Sequence, residues 1–393
     1  MRILHTSDWH LGRSFHREGM LGHQAAYVDH LLAVVEEEHV DLVVVAGDVY
    51  DRALPHVDAV RLADEALARL AGSRAKVVLT SGNHDSAQRL GFSSRLIDAA
   101  GVHIRTDAAG VGTPILLEDD HGTVAVYGLP YLDPDAVREP WGLPVRSHEA
   151  ALTAAMGRVR ADLATRAGAR SVVLAHAFVA GAPDQVRPSD SERDISVGGV
   201  SLVPTSVFDG VDYAALGHLH GRHTLTESVR YSGSPLAYSF SEATQVKGSW
   251  LVDLGAHGLD SATFVEAPVP RPLARLRGTL EELLADPRHT VHERSWVQAT
   301  LTDAVRPLQA MDRLRRRFPH TLVLGFEPVG ARPVGVPAAR VSGRSDHAIA
   351  LEFVEQLRGA PATEAESALL LTAVDACCED PDVDVLLSGT VDG

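Results

Sequence analysis

Five short polar blocks, each directly behind a short apolar run, constrain this chain more than any other feature. The blocks are Asp8-Trp9-His10, Gly47-Asp48, Gly82-Asn83-His84-Asp85, His176 and His218-Leu219-His220. The runs before them, Ile3 to Ser7, Leu42 to Ala46, Val77 to Thr80, Val172 to Ala175 and Tyr213 to Leu216, read as β-strands. Apolar residues at three- and four-residue spacing predict helices between them, at about His23 to His39, Val57 to Ala71, Ser86 to Ala100 and Ser147 to Ala167. In an open α/β sheet ligands bind in the crevice beyond the carboxyl ends of the strands, so the five blocks are expected to meet in space.

The residue types say what would be bound there. Carboxylate, imidazole and carboxamide oxygen suit borderline-hard divalent metals such as Mn²⁺ or Fe²⁺, and no thiolate favours a closed zinc site. Asp8 and His10, two residues apart at a strand end, project to one side and can chelate one ion; His218 and His220 repeat the spacing. Asp48 stands alone after its strand and has two oxygens with which to bridge two cations. Two ions about 3.5–4 Å apart, joined that way, form the clamp used for in-line attack on phosphorus. Singly, each block has an ordinary explanation: a polar strand end, a hydrogen-bonded histidine at His176, a turn or helix cap at Gly47-Asp48, a tight turn at Gly82 to Asp85. The register of all five behind strands favours a dinuclear site.

The order D-x-H, G-D, G-N-H-D, H and G-H-x-H resembles that of the calcineurin-like metallophosphoesterases. The fuller strings MRILHTSDWHLG, VVVAGDVYD, SGNHDS, SERDISVGG, YAALGHLH and YSGSPLAYSF resemble, within that superfamily, the SbcD family of nuclease subunits of bacterial SbcCD complexes. The likeness runs from Met1 to about Phe264 and continues weakly to the end. It implies a four-layer α-β-β-α sandwich with a small α/β capping domain and a C-terminal helical segment. It also implies that Asp8, His10 and His220 hold one metal, that Asn83, His176 and His218 hold a second, and that Asp48 bridges them. His84 would stabilise the pentavalent phosphate or protonate the leaving oxygen, and Asp85 would orient it. Close relatives often have Gly-His where this chain has Ala175-His176, a change that leaves the ligand side chain in place.

Length and composition bound the organisation. A chain of 393 residues, 45% hydrophobic, can bury a large core and suggests two or three domains. The proline-rich stretch 267–272 cannot continue a central strand and marks the main boundary. Residues 1–270 are expected to form the nuclease domain and 271–330 a capping, DNA-recognition domain of alternating strand and helix. A Pro/Gly-rich linker is expected over 331–344 and a helical segment over 345–393. The segments from Arg222 to Glu266 read as a meander. No apolar run is long enough for a membrane span, and a strand with a ligand stands where a signal peptide would need its apolar core, so a cytoplasmic, nucleoid-associated protein is expected. Cys377 and Cys378 are adjacent and far from every block, which suggests neither a disulfide framework nor a zinc ribbon.

A net charge of −16 runs against a nucleic-acid partner, which usually needs phosphate neutralisation. The distribution softens this: residues 271–339 carry eleven Arg against seven acidic residues. The densest run is Arg313, Arg315, Arg316 and Arg317, in a helix expected from Pro307 to Phe318, and it suits either a solvated helix end or DNA contact. Two amphipathic helices are expected at Ala348 to Leu357 and Glu364 to Cys377. Pattern alone folds them back on their own domain, whereas the resemblance implies docking on the coiled coil of the ATPase SbcC. Leu54, Val57, Val60 and Leu67, with Leu90, Phe92, Leu96 and Ile97, read from pattern as monomer core; the resemblance implies that they pair two protomers into a homodimer. The implied activity is a Mn²⁺-dependent DNA nuclease, 3'-5' exonuclease on double-stranded ends and endonuclease on single strands and hairpins, in DNA repair and recombination. A calcineurin-like phosphatase on a non-DNA substrate and a scaffold without catalysis are the alternatives, and retention of all seven ligands disfavours the scaffold.

Overall fold

The five apolar runs are strands, and each is buried on both faces. In a computed structural model, which describes residues 1–181, 188–192, 202–329 and 344–378, they belong to two six-stranded sheets packed face to face. The first sheet contains β1 (Arg2–Thr6), β2 (Leu42–Ala46), β3 (Lys76–Thr80) and β4 (Val102–Arg105), all parallel. The second contains β5 (Ile115–Asp119), β6 (Gly122–Leu129), β7 (Arg170–His176), β8 (Tyr213–Gly217), β9 (His223–Thr224) and β10 (Val229–Tyr231), with β6, β7, β8 and β10 parallel. The antiparallel pair β11 (Gly248–Gly255) and β12 (Gly258–Glu266) closes the first sheet against β1.

Alternation along each strand builds the layers. Ile3, Leu42, Val44 and Val78 meet Val124, Val126, Val172 and Leu174 between the sheets. Their neighbours Leu4, Val43, Val45 and Val77 face α1 (Leu21–Glu37) and α2 (Val57–Ala71). On the other side Tyr127, Val173 and Ala214 face Ala151, Ala155 and Val159 of a helix over His148–Leu163, which follows α3 (Pro134–Trp141) and is α4. The result is the four-layer α-β-β-α sandwich. Strands covered on both faces explain the near-continuous apolar runs.

Two elements differ from expectation. The helix predicted over Ser86 to Ala100 is two single turns, Ala87–Leu90 and Ser94–Ile97, followed by a 3-10 turn at Asp98–Ala100. Ser93 between them takes a left-handed φ of 59°, which ends the first turn and restarts the chain in a new direction. The predicted meander is divided: β9 and β10 extend the second sheet, whereas β11 and β12 extend the first. The segment 233–247 carries the chain from one sheet to the other.

By contacts the chain separates into two compact units, Met1–Arg275 with Arg294–Trp296, and Leu276–Glu293 with the residues from Val297 onward. In the second, β13 (Leu273–Gly278) and β14 (Trp296–Leu301), whose first residues belong to the first unit, form a three-stranded sheet with β15 (Thr321–Phe326). With it lie α5 (Leu280–Ala285), opened by a capping box of Thr279 and Glu282, and α6 (Ala310–Arg317). Helices α7 (Asp346–Arg358) and α8 (Glu364–Cys378) pair through Arg358 and Glu366, 2.7 and 2.8 Å apart, and through His347 and the Ser367 carbonyl. The predicted linker, except Arg344, lies outside the described residues, as do residues 193–199 of the SERDISVGG string and the acidic tail from Glu379. No helix among the described residues is long and apolar enough to cross a membrane.

Candidate metal centre

The polar blocks fall together where the strands of both sheets end. Asp8 and His10 follow β1, Asp48 follows β2, and Asn83, His84 and Asp85 follow β3; His176 ends β7, and His218 and His220 follow β8. The chain turns sharply there. Asp8, His10, Asp48 and His218 have φ of 54°, 46°, 49° and 108°, a region that side chains other than glycine rarely enter. Hydrogen bonds between the loops hold these turns: Asp8 N to Gly47 O at 3.1 Å, His10 N to Asp48 O at 3.0 Å, and His218 N to the Asp8 carboxylate at 3.0 Å. Close approach also needs glycine. A Cβ on Gly47 would overlap the His176 ring, and one on Gly82 would overlap the Asp48 carboxylate.

The seven sequence-predicted ligands converge. Single ligand atoms of Asp8, His10 and His220 lie within 4.8 Å of one another, as do those of Asp8, Asp48 and His176. Asn83 Oδ1 is 2.9 Å from His176 Nε2 and 3.2 Å from His218 Nδ1. Asp48 Oδ2 stands between the two groups, 3.6 Å from His10 Nε2 and 3.5 Å from His176 Nε2. Asp8, His10, Asp48, His176, His218 and His220 are buried.

The chemistry of this cluster suits cations. The Ala46 carbonyl, 2.9 Å from His176 Nδ1, can only accept, so Nδ1 carries the proton and Nε2 its lone pair. That lone pair faces the oxygen of Asn83 and a carboxylate oxygen of Asp48. The amide nitrogen of Asn83 is buried without a hydrogen-bond partner, so the carboxamide is turned to present its oxygen. Burial lowers the His176 pKa to about 4 and drives His10 and His218 well below the ordinary histidine value, so these rings are neutral. Burial, and then the charge of Asp48, pushes the Asp8 carboxyl well above the usual carboxylate range; burial raises Asp48 also. Neutral imidazoles and mutually repelling buried carboxylates fit a pair of divalent metal ions.

His84 and Asp85 lie beside this cluster in different ways. The His84 ring is 4.7 Å from that of His10, its backbone N donates to Asp48 Oδ1 at 2.9 Å, and its Nδ1 is 2.8 Å from the Asp51 carbonyl. Asp85 accepts from the backbone N–H groups of Gly82, Val49 and Tyr50, at 2.9, 3.1 and 2.8 Å. It therefore clamps the loop after β2, which carries the Asp51 carbonyl facing His84, to the loop after β3.

Several residues around the ligands had no role in the sequence reading. Gln24 donates to the His10 carbonyl at 2.8 Å, Tyr238 to the Trp9 carbonyl at 2.6 Å, and Arg13 to the Ser191 carbonyl at 2.5 Å. Glu192 accepts from His220 N at 2.6 Å, and Ser191, Glu242 and Lys247 lie behind the same histidine. Ser191, Glu192 and Tyr238 sit in the strings SERDISVGG and YSGSPLAYSF, which are recognisable but reveal no partner. In the second unit the arginine run divides: Arg315 Nε bonds the Thr321 carbonyl, and Arg317 bonds Glu293, Thr290 and the Leu283 carbonyl. These two brace the unit, and Arg317 also lines a surface cleft with Arg313, Arg316, Leu284 and Glu293.

Comparison with known proteins places this centre. The zebrafish (Danio rerio) dimetal phosphatase LOC 393393 is 15% identical, with 68% of this chain and 99% of that one covered and a TM-score of 0.40. The protein TT1561 of Thermus thermophilus is 14% identical, with 67% and 98% covered and a TM-score of 0.39. GAP50, the anchor in the inner membrane complex of Plasmodium, is 11% identical, with 85% and 99% covered and a TM-score of 0.39. Likenesses this distant carry no argument about activity. Residues 269–356 match the model of the type 5 capsule protein repressor C-terminal domain, SbcD_C. Residues 1–222, which hold all seven converging side chains, match the calcineurin-like phosphoesterase model, and the chain belongs to that family of metal-dependent phosphoester hydrolases.

Proposed function

We propose that this chain is an SbcD-like, dimetal-dependent nuclease subunit that hydrolyses DNA phosphodiesters, with Mn²⁺ as the working metal. The observation that carries the hydrolytic part is the meeting of three acceptor atoms, His176 Nε2, Asn83 Oδ1 and Asp48 Oδ2, beside the cluster of Asp8, His10 and His220. In this proposal Asp8, His10 and His220 hold one ion, Asn83, His176 and His218 the other, and Asp48 both. When bound, the pair supplies Lewis acidity toward phosphoryl oxygens and lowers the pKa of water to make a nucleophile. His84, with Nδ1 tied to the Asp51 carbonyl, delivers charge or a proton to the leaving oxygen through Nε2. Asp85 keeps the loop that supplies that carbonyl in place.

DNA as substrate and SbcC as partner find support in the C-terminal family match and in the apolar residues exposed on α7 and α8, Phe353, Leu369 and Leu371. The proposed organisation is a nuclease domain over 1–270, a capping DNA-recognition domain over 271–330, a linker over 331–344 and an SbcC-binding segment over 345–393. Two such chains would join two SbcC chains in the cytoplasm, at the nucleoid. The proposed activity includes 3'-5' digestion of duplex ends and cutting of single strands and hairpins.

The test supplies purified chain with Mn²⁺, labelled duplex and hairpin DNA, and p-nitrophenyl phosphate esters. Metal-dependent DNA cleavage is expected from the wild type and none from Asp48→Ala. Turnover of monoesters alone would give the site to a phosphatase on a non-DNA substrate.

A further inference from the structure

His220 differs from His176 in what stands behind it. The rear nitrogen of His176 meets a neutral carbonyl, that of Ala46. The rear nitrogen of His220 meets a buried chain of side chains that ends in a carboxylate. His220 Nδ1 is 2.7 Å from Ser191 Oγ and 3.4 Å from Glu242 Oε1, and Ser191 Oγ is 2.5 Å from the same carboxylate oxygen. A serine hydroxyl has one proton, and an ionised carboxylate can only accept it. Ser191 therefore donates to Glu242 and accepts from His220 Nδ1–H, which leaves the lone pair on Nε2. That nitrogen is 3.0 Å from His10 Nε2, on the side of Asp8 and His10.

Lys247 holds the carboxylate in register. Its ammonium donates to Glu242 Oε2 at 2.5 Å and also meets the His220 carbonyl at 2.8 Å, Gln245 Oε1 at 2.8 Å and Ser234 Oγ at 3.0 Å. The lysine thus binds both the carboxylate behind the ring and the backbone of the residue that carries the ring. The side chain of Glu242 is fully buried, and that of Lys247 is nearly so. Burying such a pair is costly, and hydrogen bonds to each partner offset the cost only in good geometry. Ser189, 3.2 Å from Glu242 Oε1 and 2.9 Å from Ser191 Oγ, completes the carboxylate's shell.

We propose that Glu242, acting through Ser191 and anchored by Lys247, is a positioning residue that fixes His220 as the Nδ1–H tautomer and raises the basicity of its Nε2, so that one of the two metal positions binds its cation more tightly. The inference rests on the dimetal reading of the centre. A carboxylate behind a ligating imidazole strengthens it as a donor, and loss of such a partner typically costs 10–100-fold in metal affinity.

Mn²⁺ titrated calorimetrically into metal-free protein tests this, with the absorption bands of Co²⁺ in its place as a spectroscopic readout. In the wild type two binding steps are expected, and Asn83→Ala marks the step that belongs to the His176–His218 position. Glu242→Gln is expected to weaken the other step by about 10–100-fold and shift its Co²⁺ bands, leaving the marked step unchanged. Ser191→Ala, which keeps the Glu242–Lys247 pair, is expected to weaken the same step by a smaller factor. Wild-type affinity at both steps in both variants would overturn the proposal. So would equal weakening at both steps with a lower melting temperature of the metal-free protein, the outcome of a merely structural role. A wild type that takes up no pair of ions would overturn the dimetal reading and this inference with it, which distinguishes the two failures.

Discussion

Four of the seven candidate ligands have left-handed backbone, and that is a property of residues in a particular place. Each such non-glycine residue costs about 1–3 kcal/mol and persists only where its surroundings over-determine it. Here the hydrogen bonds from Asp8 N to Gly47 and from His10 N to Asp48 supply the constraint, and the Asp85 carboxylate ties the Asp48 loop to Gly82. His84 is different: its ring is aimed by the Asp51 carbonyl, and its contact with the Asp48 carboxylate runs through the backbone N–H, which an alanine keeps. His84→Ala should therefore retain two Mn²⁺ per chain by metal analysis while losing turnover by about 10²–10⁴-fold, the usual share of a proton-transferring side chain. A variant that lost one ion would make His84 a ligand. The convergence of the seven candidate ligands was legible in the sequence because each stands at or directly behind a strand. The pairings of Asp85 with Val49 and Tyr50 and of Ser191 with Glu242 were not legible, because they join residues 36, 35 and 51 positions apart, and such pairings leave no local period.

Among the elements, the strands were the most legible, since β-branched runs buried on both faces look alike wherever they occur. Turns were less so: the string Ser86 to Ala100 has helical spacing, and only the left-handed Ser93 shows why it breaks. A polar exception inside a strand is also informative. His5 on β1 lies between the sheets, with Nε2 3.1 Å from the Leu216 carbonyl and Nδ1 2.9 Å from the Tyr213 hydroxyl. The carbonyl requires a proton on Nε2, so Tyr213 donates to Nδ1, and the neutral ring links β1 to β8. Burial lowers its pKa from 6.5 to about 3. Between those values the unfolded chain binds the extra proton, so this contribution to stability is complete above about pH 6.5 and is lost as pH falls toward 3, by at most about 1.4 kcal/mol per unit. His5→Gln keeps an amide donor and acceptor but cannot titrate. Urea midpoints measured from pH 7.5 to 4.5 should fall less steeply for His5→Gln than for the wild type, and parallel slopes would show that His5 does not charge on unfolding.

At the scale of the whole molecule, the question is which apolar faces remain uncovered, and periodicity cannot answer it. The residues read as monomer core divide in the structure: Leu90 is buried, and Leu67 and Ile97 pack against the core of the first sheet. Leu54, Val57, Val60, Phe92 and Leu96 are exposed, Phe92 and Leu96 by 78% and 79%. The two segments are neighbours, because the Arg89 guanidinium bonds the Ala53 carbonyl at 3.0 Å. Exposed apolar residues gathered in this way mark an interaction surface, and a surface that pairs with its own copy needs only a two-fold axis to bury every one of them twice. A standard interface removes about 1,200–2,000 Å² from water, and loss of a central aromatic anchor commonly costs about 2 kcal/mol or more. Sedimentation of the wild type at micromolar concentration should therefore give twice the 42.0 kDa chain mass, and the Phe92→Asp, Leu96→Asp double variant should sediment as a single chain with its Mn²⁺ uptake intact. Because both side chains are exposed in the protomer, the variant has no core to disturb. A monomeric wild type would leave this face for another partner, and a dimeric double variant would move the interface elsewhere on the molecule.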